Sequence, residues 1–180
     1  MTFKAIDAVI SGEPEAVLIT RGGLVLSVRP VTTEDGPLLA EFFERVDADD
    51  LRFRFLSGQE HARPHQIAEM IEVDHRRAEH LLAFDADSKE MVASAMLVAD
   101  NCLENAEVAI AIAKAYRGQG IGWTMLKHVA ELAKVHGIKR LRSIESCQNH
   151  AALEVERALG FSTCAFDGDP TLLLVEASLA

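Results

Sequence analysis

Arg117-Gly118-Gln119-Gly120-Ile121-Gly122 places glycine at alternate positions just before an amphipathic run that stops at Gly137. Glycine adopts backbone conformations that other residues avoid, and it has no Cβ to hold a ligand away from the main chain. A turn of this kind opening a helix presents unpaired amides at the positive end of the helix dipole, where a diphosphate is stabilised. Arg117 can add charge-assisted bonds to the same oxygens. The chemistry open to this stretch is the holding of a phosphate-bearing ligand; a turn that merely joins strand to helix is the plain alternative. A dinucleotide site shares the strand-turn-helix pattern, but Trp123 stands where the third glycine of G-x-G-x-x-G belongs.

Other chemistry-bearing residues are more dispersed. Among the seven histidines, His61 and His65 have i, i+4 spacing, yet Pro64 interrupts that turn and no carboxylate or cysteine cluster accompanies them, so no metal is expected. Cys102, Cys147 and Cys164 are odd in number, widely spaced and without a CxxC pair, which suggests neither a disulfide framework nor zinc and fits a reducing cytoplasm. Cys147 is read as a structural thiol rather than a nucleophile. Arg52-Phe53-Arg54-Phe55 alternates cation and aromatic as some RNA binders do. The net charge of -10 argues against a nucleic-acid partner, since such affinity comes from neutralising phosphates, and makes packing with paired charges near an acceptor site the better reading. No apolar run of membrane-spanning length occurs, and Asp7 and Glu13 interrupt any signal-like segment, so a soluble, unexported chain is expected.

The elements that must position these residues follow from periodicity. With 180 residues, 49% of them hydrophobic, one domain over 16–180 is expected, preceded by an arm of uncertain order over 1–15. Ala16 to Thr20 and Leu24 to Arg29 form a hairpin about Arg21-Gly22-Gly23. A helix starts at Thr32 or Thr33, with Asp35 placed as in a capping box, and runs to about Arg45. Shorter helices are expected over Asp50 to Leu56 and Pro64 to Glu72. Leu81 to Phe84, Met91 to Val98 and Glu107 to Ala113 read as successive antiparallel strands. A long helix follows from Gly120 to His136, then a strand over Ile138 to Ile144, a helix over Ala151 to Leu159, and strands near Phe161 to Phe166 and Thr171 to Ala177. The expected fold class is α/β, with a mixed, mostly antiparallel sheet flanked by helices.

On these residues the chain resembles the GNAT superfamily of N-acetyltransferases. Arg117-x-x-Gly120-x-Gly122 is similar to its acetyl-CoA-binding signature, and Asn149 with the run from Ala152 to Gly160-Phe161 resembles its second motif. Val28 to Asp35 looks like the usual opening strand and helix start. Leu38 to Leu56, with Glu41-Phe42-Phe43-Glu44, looks more narrowly like the acetyltransferase domain of bacterial protein lysine acetyltransferases that modify acyl-CoA synthetases. The resemblance implies the GNAT fold, acetyl-CoA as cosubstrate, no metal, and a primary amine as acceptor, either a protein lysine or a small amine. It also implies cofactor contacts from Arg117, Gly118, Gln119, Gly120, Ile121, Gly122, Trp123 and Asn149, and main-chain contacts to the pantetheine arm and thioester at Ile110 and Ile112. Asn149 reads equally as an ordinary helix cap.

Amine chemistry needs a base, because a lysine side chain with an ordinary pKa near 10.4 is short of its neutral form at pH 7 by roughly 4.6 kcal/mol. Resemblance assigns that role to Glu107, at the start of the strand leading to the glycine turn, where partial burial would raise its pKa. Its competitors Glu104 and Asp100 fall in a turn. The superfamily's usual proton donor to the leaving thiolate is a tyrosine seven residues after the asparagine; here that position is Glu156, and the chain's only tyrosine, Tyr116, precedes the glycine turn. Solvent or another donor must then serve. The departure keeps open a silent acetyl-CoA-binding sensor beside the enzyme.

Overall fold

The computed structural model describes residues 16–55 and 61–179. The expected arm over 1–15 lies outside the described residues. Strands β1 (Ala16–Ile19) and β2 (Val25–Pro30) form the hairpin, whose turn is closed by Thr20 Oγ1 accepting the Leu24 N–H at 3.1 Å. After a 3-10 turn (Thr33–Asp35) come α1 (Gly36–Glu44), α2 (Ala48–Phe55) and α3 (Pro64–Ile71). β3 (Ala78–Asp85), β4 (Met91–Ala99) and β5 (Asn105–Ile112) follow as a meander. Then come α4 (Ile121–Val135), β6 (Arg140–Ser146), α5 (His150–Ala158), β7 (Ser162–Ala165) and β8 (Leu172–Ser178).

The described strands form one sheet in the order β1-β2-β3-β4-β5-β6-β8-β7, antiparallel throughout except between β5 and β6. Each face carries its own apolar layer. On one face, Leu26, Leu81, Ala95, Val108 and Leu141 pack against Ile121, Met125 and Val129 of α4 and Leu153 of α5. On the other, Leu82, Met91 and Ala111 pack against Phe42, Phe43, Leu51, Ile67 and Met70 of α1 to α3. Helices on both faces explain why β3 and β4 are buried almost continuously rather than alternately.

The first helix differs in detail from its sequence reading, because it opens as a 3-10 turn. Asp35 accepts from the Thr32 N–H at 2.7 Å as the capping pattern requires, and both its oxygens also grip the Arg29 guanidinium at 2.7 Å. That clamp ties β2 to the start of α1.

Candidate active site

The one parallel pair in the sheet is also its shortest in register. β5 and β6 pair only at Asn105↔Arg140, Ala106↔Leu141 and Glu107↔Arg142, after which the ladder ends. Backbone groups alternate sides along a strand. The Ala113 N–H donates to Val92 on β4, so the even-numbered residues of β5, Ile110 and Ile112 among them, turn their main-chain groups away from β4 toward β6. On β6, Lys139 O accepts from Leu179 beside β8, so Ile144 and Ser146 turn theirs toward β5. A gap between two strand edges results, bordered by main-chain donors and acceptors.

The glycine turn lies at the end of β5 that opens into this gap. Gly118 (φ +74°) and Gly120 (φ +81°) take the left-handed conformation, and Gly120 caps the N-terminus of α4 without a side-chain bond. Intrahelical bonding begins with the Thr124 N–H to Gly120 O at 3.1 Å, which leaves the amides of Ile121, Gly122 and Trp123 as first-turn donors. Tertiary packing explains two of the glycines independently of any ligand. A Cβ at Gly120 would stand 3.3 Å from the Arg21 backbone nitrogen in the β1–β2 turn, and one at Gly122 would stand 3.3 Å from the Ile112 side chain. Around Gly118 the space is open. Ile121 is core, while Trp123 is stacked beneath the Arg21 guanidinium, 3.9 Å from its ring centroid. Gln119 is half-buried, with its carbonyl against Gly22. Arg117 is directed elsewhere than the sequence suggests: it binds Asp50, at 2.9 Å through Nε, and Asp47 at 3.7 Å, locking the turn to the acidic start of α2.

Glu107 is the last residue of β5 paired to β6, but its expected partial burial is not found: the side chain is exposed. Alternation turns it to the face covered by α1 to α3, and those helices cover the Ala111 and Ala113 end of the strand instead. Glu107 lines an open cleft of about 450 Å³ with Val98, Asp100, Asn105 and Arg142. Asp100 accepts from the backbone amides of Cys102, Glu104 and Asn105 and Glu104 pairs with Lys139, so both competitors have structural partners. Arg54 of α2 lies within electrostatic reach of both Glu107 on β5 and Glu145 on β6; its Nε is buried without a hydrogen-bond partner, and burial lowers its pKa.

Behind the gap, on the α4 and α5 face, lies a group the sequence reading did not assemble. Glu156 of α5 is 4% exposed; its Oε1 accepts from the Ser143 hydroxyl and its Oε2 is buried without a partner. Glu145, two residues beyond Ser143, accepts from Asn149 Nδ2 at 2.8 Å. Burial pushes Glu156 up to about 7, and burial with the neighbouring Glu156 charge pushes Glu145 up to about 8 against the pull of Asn149 and Arg54. Asn149 also caps α5, its side chain accepting from Ala152 N–H at 3.4 Å. The available signal was parity: Leu141, Ser143 and Glu145 share one face of β6, and Leu153 and Glu156 share the buried stripe of α5. Tyr116 is held away, its hydroxyl bonded to Glu90 at 2.9 Å and Asp85 at 3.3 Å in the β3–β4 turn. All three cysteines are free and exposed. Among the described residues no cluster of histidine, cysteine and carboxylate could hold a metal, and no helix is long and apolar enough to cross a membrane.

The profile of the acetyltransferase (GNAT) family matches residues 43–161. The chain belongs to this family. This GNAT protein is therefore an acyltransferase enzyme, and its fold is that of the family. It is 26% identical over 156 residues to an acetyltransferase of Pseudomonas aeruginosa, covering 86% of this chain and 83% of that one. The GNAT domain of S. lividans PAT superposes with a TM-score of 0.83 at 22% identity, covering 91% of this chain and 96% of the other. Spermidine N-acetyltransferase from Vibrio cholerae, solved with CoA and spermine, superposes with a TM-score of 0.69 at 13% identity, covering 86% and 95%. These likenesses show the shared fold. GNAT enzymes use acetyl-CoA, and two features here suit such a donor: first-turn amides without intrahelical partners for a diphosphate, and an unpaired strand edge for an amide-bearing arm.

Proposed function

We propose that the protein transfers the acetyl group of acetyl-CoA to a primary amine of a protein lysine by direct attack, with Glu107 as general base and residues 16–180 acting as one catalytic domain. The observation that carries this reading is the end of β5–β6 pairing at Glu107↔Arg142, which sets a carboxylate at the mouth of an unpaired gap. A thioester in that gap meets main-chain N–H groups of Ile110 and Ile112, where a donor stabilises the oxyanion that develops on attack. Its diphosphate rests on Gly118, Gln119 and Gly120 and on the first-turn amides of Ile121, Gly122 and Trp123, with the positive end of α4 behind them. Asn149 contributes to the arm's wall, and Arg117 holds α2 against the turn through Asp50.

An amine entering through the cleft reaches Glu107 before the thioester, loses its proton there, and attacks. The open cleft and the net charge of -10 favour a cationic side chain on a protein surface. A small amine is the second reading, supported by the Vibrio cholerae enzyme that shares the fold and holds spermine. The test is CoA-thiol release from acetyl-CoA with acyl-CoA synthetases, a lysine peptide and spermidine. Glu107→Gln is expected to lower kcat/KM by about 10²- to 10⁴-fold with acetyl-CoA affinity unchanged by calorimetry. An unchanged rate removes Glu107 from the mechanism; turnover confined to spermidine favours the small amine, and binding without turnover favours a sensor.

A further inference from the structure

We propose that Arg54 is a carboxylate-binding subsite beside the reacting atoms, so that the enzyme favours a substrate pair in which the acyl group of the CoA donor or the acceptor amine carries a carboxylate. This rests on the acyl-transfer reading above. In the Arg52-Phe53-Arg54-Phe55 run the two arginines have different surroundings. Arg52 pairs with Asp49 at 3.2 Å on the surface, whereas Arg54 meets no carboxylate at ion-pair distance among the described residues. Its Nη2 donates to the Met96 sulfur at 3.8 Å, a weak acceptor, and its Nε is buried without a partner. By contrast, Arg29, Arg117 and Arg142 each grip a carboxylate, that of Asp35, Asp50 and Glu176 respectively.

A desolvated guanidinium with an unused donor is costly to hold unless a ligand completes it. Its position indicates which ligand. Met96 of β4 pairs with Ala109 of β5, so Arg54 lies over the stretch of β5 between Glu107 and the main chain of Ile110 and Ile112, where the thioester is placed in the reading above. It is within electrostatic reach of Glu107 on β5 and of Glu145 on β6, across the gap where those strands part. Neither supplies a close counter-ion. Glu107 is exposed and makes no bond to it, while Glu145 accepts from Asn149 and is pushed up to about 8, which leaves it mostly neutral at pH 7.

A carboxylate has the charge and the paired oxygens that a guanidinium fork receives, and an ion pair away from water is stronger than one at the surface. Two kinds of substrate can deliver it. One is a dicarboxylic acyl-CoA such as succinyl-CoA, whose far carboxylate lies a few bonds from the thioester carbon; the other is an α-amino acid, whose carboxylate adjoins the attacking nitrogen. The bonds made and broken are the same in either case. Nitrogen bonds to the acyl carbon, the carbon–sulfur bond breaks, Glu107 takes the nitrogen's proton, and the thiolate leaves to be protonated by water. The carboxylate held by Arg54 is unchanged.

The test is kcat/KM for two matched pairs: succinyl-CoA against butyryl-CoA with a lysine peptide, and leucine against leucinamide with acetyl-CoA, rates being referred to free amine. Wild type is expected to prefer the carboxylate-bearing member of one pair by at least about tenfold, the worth of a charged hydrogen bond. A preference in the first pair assigns the carboxylate to the donor, and in the second to the acceptor. Arg54→Gln is expected to abolish that preference, and Arg54→Lys, which keeps the charge without the fork, to retain part of it. The wild-type ratio can be read whether or not Arg54→Gln folds. A preference in neither pair, or one that Arg54→Gln leaves intact, overturns this inference alone. No turnover of any of these acyl-CoAs with any of these amines overturns the acyl-transfer reading and this inference with it.

Discussion

Buried titratable groups pull the stability of this protein in opposite directions with pH. His80 is fully buried between Met70 O and Ser94 Oγ, and burial lowers its pKa to about 4. The unfolded chain then binds more protons than the native one between about 4 and 6.5, so this contribution is lost as pH falls through that window. Glu145 and Glu156 are raised to about 8 and about 7, so the native state binds more protons from the ordinary carboxylate range upward, and stability falls as pH rises toward 8. Urea midpoints measured at pH 5 and pH 8 should decrease for wild type and change less for Glu145→Gln or Glu156→Gln. Parallel curves would mean that neither carboxyl holds its proton in the native state. At this scale Asn149 was readable as a cap and Glu156 as a departure, yet the exposure of Glu107 was not readable. Its burial depends on how far α1 to α3 extend over the sheet, which no local spacing reports.

The glycine turn and the start of α4 form the element on which ligand binding depends, and two of its glycines should respond differently to substitution. Gly118→Ala meets open space and carries only the left-handed backbone penalty, about 1 kcal/mol. Gly120→Ala carries that penalty and also presses on the Arg21 backbone at 3.3 Å, so it should destabilise by about 2 kcal/mol. Denaturation should rank the variants in that order, and equal losses would remove the β1–β2 turn from the support of α4. The turn, strand β5 and helix α4 were all legible from alternation, glycine spacing and 3.6-residue periodicity. That Arg117 binds Asp50, 67 residues earlier, was not legible, because α1 and the sheet carry α2 back over the turn.

Over the whole molecule the net charge of -10 sets a field that a cationic acceptor should feel. If the acceptor is a lysine on a basic peptide, kcat/KM should fall several-fold as added salt shortens the screening length from about 30 Å to about 8 Å. A neutral amine probe such as hydroxylamine should respond little. A basic peptide indifferent to salt would reduce the charge to a matter of solubility.

The amino-acid sequence by itself determined the order and type of the elements, the class of fold, and the candidate residues around Arg117 to Gly122, because hydrophobic period, turn chemistry and helix capping act over a few neighbouring residues. Only the tertiary structure decided that β5 and β6 part after Glu107, that Arg54 comes within electrostatic reach of both strands, and that Glu145 of β6 and the buried Glu156 of α5 come close enough to repel each other. Those facts depend on which strand edges meet and how far each helix covers the sheet. Both are set by packing between segments remote in sequence.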